Sequence, residues 1–113
     1  MQGLEMNVDV FCSWLCERES QVVGHPGKWF DAPLARWLSE MTGHVYGIDG
    51  KLYGRASCEY CRWRLLPRWA EVFSLWVESY AHRPVTGYEA LDVLARVELA
   101  FSPVGMKRQM VLR

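Results

Sequence analysis

At 113 residues the chain has the length of one domain, enough to bury a core without a disulfide or metal staple. Half of its residues are hydrophobic and six are tryptophan, a load that a small interior cannot hide completely. Thirteen basic side chains balance thirteen acidic ones, which excludes the broad positive footprint of a general nucleic-acid binder.

The stretch MQGLEMNVDVFCSW has no basic region followed by an apolar run. No window approaches the roughly 18 apolar residues of a membrane span. A cytoplasmic protein without a membrane partner is therefore expected. The charges are segregated along the chain. Residues 51–70 hold five bases (Lys51, Arg55, Arg62, Arg64, Arg68) against one acid, Glu59, and residues 71–100 hold five acids against two bases.

In chain order, Val8, Phe11, Cys12 and Leu15 recur at helical spacing between Asn7 and about Arg18, with Asp9, Ser13 and Glu17 on the other side. QVVGHPGKWF, with two glycines and a proline, reads as a loop. A second helix is predicted from Asp31, an N-cap type, through a stripe of Leu34, Trp37, Leu38 and Met41 to Gly43, with Pro33 in its first turn. HVYGIDGKLYGR reads as a hairpin about Asp49-Gly50, the dipeptide a type I′ turn prefers. Gly47 and Gly54 in its strands mark bulges or a close approach.

From Glu59 to Leu65 the residues alternate, which predicts a third strand. Cys61, Trp63 and Leu65 take the inward row, and Tyr60, Arg62 and Arg64 the outward row. A short helix over 58–65 is the rival reading. Pro67 then opens a long helix to about Ala81, with a broad apolar face of Trp69, Val72, Phe73, Trp76, Val77 and Tyr80. Thr86 and Glu89 have the spacing of a capping box. The helix they open runs from Gly87 to about Ala100 with Ala90, Leu94, Val97 and Phe101 inward. Residues 102–113 form a basic tail after a single domain over 1–101. The fold class expected is α+β, with about four helices packed on a three-stranded antiparallel meander at residues 44–65.

Four cysteines in such a chain are expected as free thiols or metal ligands. Cys12 and Cys16 share a helix face, and Cys58 and Cys61 form a CxxC, so the four are candidates for a structural zinc site. Packing is the stronger reading, because Cys12 sits among apolar residues and no glycine-bearing knuckle turn is present. No cofactor is otherwise implied. His25, His44 and His82 have no ligand spacing. GHPGKW lacks the second glycine spacing and the Ser/Thr of a phosphate loop. No catalytic constellation emerges, so a non-enzymatic protein is expected.

The tryptophan load and the broad face of the helix after Pro67 point to an interaction or adaptor protein that forms a homodimer. The alternative is a nucleic-acid-binding module using segment 51–68. In that segment Tyr60, Arg62, Arg64 and Arg68 could pair phosphates and stack bases. A third reading is a small-molecule site lined by tryptophans such as Trp69 and Trp76.

Overall fold

The structure, a computed structural model, describes residues 6–56, 63–80 and 83–101. The chain folds as α+β, with four helices and two small antiparallel sheets. The first helix, α1 (Val8–Cys16), is capped by the Asn7 side chain, which accepts from the free amides of Asp9 and Val10. It buries Phe11, Leu15 and Trp14, the last of which its apolar spacing left out.

The segment after α1 is not all loop. Val22–Gly24 forms β1, which pairs with β5 (Val85–Thr86) in a two-stranded sheet, with Val22 opposite Thr86. Its pairing partner lies some sixty residues along the chain, and such long-range pairing leaves no local signal in a glycine-rich stretch. The second helix, α2 (Pro33–Thr42), ends as expected at Gly43, in the left-handed region at φ 78°. Its N-cap is Ala32, not Asp31. The Asp31 carboxylate is drawn to Arg36 and His25 instead, which removes it from the helix amides. Met41 is exposed rather than part of the buried stripe of Leu34, Trp37 and Leu38.

The meander forms from β2 (Tyr46–Asp49), β3 (Leu52–Arg55) and β4 (Arg64–Leu65), in that order. Asp49 pairs with Leu52, so the two central turn residues are Gly50 and Lys51. Only Gly50 has a positive φ, 60°, the pattern of a type II′ turn rather than type I′. Residues 57–62, and with them the alternation's earlier part and the rival helix, lie outside the described residues.

The face assigned to β4 is corrected. Leu65 stands opposite Leu52 and is 72% exposed, whereas Leu66, the next residue, is buried. Directly opposite residues share a sheet face. The core face of the meander is already filled by Tyr46, Ile48 and Tyr53, and Arg64 stands opposite Tyr53. The Leu66 amide donates to the Lys51 carbonyl at 2.7 Å, and the chain turns there into the next helix with Leu66 pointing inward.

That helix, α3 (Arg68–Val77), starts after Pro67 and tightens into a single 3-10 turn over Glu78–Tyr80. It buries Ala70, Phe73 and Val77, while Leu75 and Trp76 remain exposed, so the broad apolar face is only partly used. The last helix, α4 (Gly87–Phe101), is opened by the expected capping box. The Thr86 amide donates to Glu89 Oε1 at 3.0 Å and the Glu89 amide to Thr86 Oγ1 at 3.3 Å. Ala90, Leu94 and Val97 are buried as expected, joined by Val93.

Helices α1 and α3 pack on α4, and α2 packs on β2 and β1. Phe11 lies at the centre of the core. Its ring centre is 4.9 Å from that of Trp37, 5.7 Å from Trp69 and 5.1 Å from Phe73, the last edge-on. Such tilted and edge-on pairs are the favoured arrangements of aromatic quadrupoles. Three tryptophans, Trp14, Trp37 and Trp69, are thus spent on the interior, and the others lie elsewhere.

Candidate interaction surface

Two of the remaining tryptophans meet on the outer face of the meander. Gly47 and Gly54 stand opposite each other there and leave a floor without side chains. The Trp63 ring lies across Gly54, in the space a Cβ would occupy, and a Cβ on Gly47 would come within 2.6 Å of the Phe30 ring and 3.1 Å of Trp63. The glycines therefore permit a close approach of aromatic rings to the backbone, as the sequence suggested.

Phe30 and its neighbour Trp29 are delivered by the loop between β1 and α2. The Ile48 amide, on β2, donates to the Trp29 carbonyl at 2.8 Å, which ties the loop along the sheet. The loop is closed at its base by Asp31. The His25 amide donates to the Asp31 carbonyl at 2.7 Å, the His25 ring meets one carboxylate oxygen, and Arg36 Nε donates to the other at 2.7 Å. The Arg36 hydrogen bond holds the Asp31 carboxyl below the usual range; partial burial opposes this and the His25 hydrogen bond adds to it. Both oxygens are engaged, so the cluster works as a clasp on the loop.

The result is a contiguous apolar strip. The ring centres of Trp29 and Phe30 are 6.3 Å apart, and those of Trp29 and Trp63 are 6.4 Å apart. Trp29 is 52% and Phe30 47% exposed, and Leu52, Leu65 and Val45 are exposed beside them. Asp49 shares this face, and Lys51 sits in the adjoining turn. Lys28, Lys51 and Arg64 are exposed and form no ion pair among the described residues.

Among the residues singled out from sequence, Arg64, on β4, stands opposite Tyr53 and is exposed on the edge strand, on the other side of the sheet from Leu52 and Leu65. Tyr60 and Arg62 are outside the described residues. Arg68 is exposed at the start of α3, and Trp69, one residue on, turns into the core against Phe11 and Trp37. Trp76, two helical turns beyond Arg68 or about 12 Å along the axis, is exposed at a different place, between α3 and α4. The sequence reading missed Trp29 and Phe30 and placed Trp63 and Leu65 inside. The signal that could have found them is the pair of glycines facing each other across the hairpin, which demands large side chains from elsewhere to cover them.

Cys12 is partly buried and Cys16 exposed, both as free thiols. Burial first, and then the neighbouring Cys16, push the Cys12 thiol up, so it is held in its protonated form. Cys58 and Cys61 lie outside the described residues. Among the described residues no group of three or more His, Cys, Asp or Glu is arranged to hold a metal, and no helix is long and apolar enough to cross a membrane. Comparison of the chain with protein-family models, curated proteins and solved structures finds no match.

Proposed function

We propose that this chain is a non-enzymatic interaction protein that pairs with a second copy of itself through the outer face of the meander. The observation that carries this reading is the strip of exposed Trp29, Phe30, Leu52 and Leu65 around the half-buried Trp63. Exposed apolar strips of this kind mark association sites, and aromatic residues dominate the energetics of such contacts. A two-fold interface must be self-complementary. This face carries one acid, Asp49, close to Lys51 at the hairpin end, so an antiparallel pairing of two copies can set the acid of each against a cation of the other. A net charge of zero adds no long-range repulsion between copies.

Sedimentation equilibrium at micromolar concentration tests the proposal, with Leu65→Glu and Trp29→Glu as variants. Both positions are exposed, so the charge enters the contact and not the core. A dimer that both variants convert to monomer supports it. A wild-type monomer across the range contradicts it.

A second reading rests on Lys28 and Lys51, which are exposed and form no ion pair among the described residues; Lys28 precedes Trp29 and Lys51 precedes Leu52. Cations beside stacked aromatics suit a single-stranded nucleic acid, whose bases stack while its phosphates pair. A gel-shift titration at low and at high salt separates the two readings. Salt-sensitive binding lost in Lys28→Glu and Lys51→Glu favours nucleic acid. No shift at low salt rules that reading out.

A further inference from the structure

A second surface lies between α3 and α4. Leu75, Trp76, Ser79 and Tyr80, from α3 and the 3-10 turn after it, face Val93 and Arg96 of α4 across an open groove of about 370 Å³. That volume falls at the lower end of the range for small-molecule sites. Val93 is buried in its floor, and the side of Trp76, 40% exposed, forms a wall.

Every polar side chain in the lining can donate a hydrogen bond. Trp76 carries an indole N–H, Ser79 and Tyr80 carry hydroxyls, and Arg96 carries a guanidinium; among the described residues the nearest carboxylate to that guanidinium is Asp92, which pairs with it from outside the lining. The side-chain polar atoms of Trp76, Ser79 and Tyr80 hold no hydrogen bond among the described residues. Arg96 is paired with Asp92 at 3.0 Å, but that pair is exposed, 71% for the arginine side chain, and an exposed pair of this kind holds its partners weakly. Arg96 is therefore available to an anion in the groove. Arg83 lies over the Tyr80 ring at 4.9 Å and adds positive potential at one end, although Glu89 engages its guanidinium.

We infer that this α3–α4 groove binds a small amphipathic carboxylate, an aromatic or medium-chain acid whose apolar body packs on Val93 and Trp76 and whose carboxylate is held by Arg96 and the neighbouring hydroxyls. The apolar floor recognises the body, and the anionic head takes the Arg96 guanidinium in competition with the exposed Asp92. This site is independent of the outer face of the meander.

The test is an NMR titration of the ¹⁵N-labelled full chain with 4-phenylbutyrate, using the uncharged 4-phenylbutanol as control. The Trp76 indole N–H and the Ser79 and Val93 amides are expected to shift and saturate with the acid. The alcohol binds about tenfold more weakly, the discrimination of one charge-assisted contact. Arg96→Gln brings the acid down to the affinity of the alcohol, and Trp76→Ala abolishes the Ser79 and Val93 shifts with both. Equal affinity for acid and alcohol overturns the inference. So does an Arg96→Gln variant that keeps the preference, or shifts that appear at Trp29 and Trp63 instead. Absence of saturation at Trp76, Ser79 and Val93 up to about 10 mM does the same.

Discussion

Gly54 is fixed by its neighbour: the Trp63 ring fills the place of its missing side chain. Gly54→Val should push Trp63 off the sheet and cost about 1–3 kcal/mol, the usual range for forcing volume into a packed contact. Urea unfolding measures the cost. An unchanged midpoint would mean that Trp63 does not rest on this glycine. Asp31 is the other residue whose chemistry supports the surface. Its carboxyl titrates below its unfolded value, so the stability it contributes is present at neutral pH and is lost as the pH falls from about 4 through the lower folded value. Asp31→Asn should remove that part of the acid dependence. At neutral pH it should cost on the order of 1 kcal/mol, discounted because a third of the side chain is exposed and screened. Unfolding midpoints at several pH values read both. The Thr86–Glu89 box was legible because its partners are three residues apart. The role of Asp31 was not, because its cap geometry competed with Arg36 five residues on and His25 six residues back.

At the scale of elements, the helices were legible where periodicity and caps agreed, as in α2 at Gly43 and α4 at Thr86. The short pairing of β1 with β5 was not, since nothing local marks Val22–Gly24 as the partner of Val85–Thr86. The strand before Pro67 is the instructive case. Alternation pointed to a strand ending at Leu65, and β4, Arg64–Leu65, stands there at the edge of the meander; a period of two cannot say which row faces the core. Hydrophobicity pointed to Trp63 and Leu65, whereas the register with β3 turns them outward and leaves Leu66 to enter the core. The same inversion turned an expected core row into part of the candidate surface. A pair of substitutions distinguishes the two registers. Leu66→Ala should cost about 2–5 kcal/mol, the range for a buried leucine, while Leu65→Glu should stay within about 0.5 kcal/mol in the monomer. If Leu65→Glu is the damaging change, the register is the reverse of the one described.

Across the whole molecule, tryptophan is divided between two tasks. Trp14, Trp37 and Trp69 surround Phe11 in the interior, and Trp29, Trp63 and Trp76 stand at two separate surfaces. Composition showed that the aromatic load was too large for a small core, and this division is the physical form of that excess. Which tryptophans would be spared from the core depended on a loop folded back onto the meander by the Asp31 clasp, a tertiary arrangement with no signature in the spacing of KWF. Charge is divided too: Glu17, Glu40, Asp31, Glu89 and Asp92 find partners in Arg18, Arg36, Arg83 and Arg96, while Lys28 and Lys51 stay without an ion pair among the described residues near the exposed rings. The most direct test of the proposed pairing is sedimentation equilibrium of the wild-type chain beside Leu65→Glu, over about 1–100 μM, a range that brackets a micromolar association. The wild type is expected as a concentration-dependent dimer and the variant as a folded monomer; a wild-type monomer throughout, or a dimer that Leu65→Glu leaves intact, would contradict the pairing.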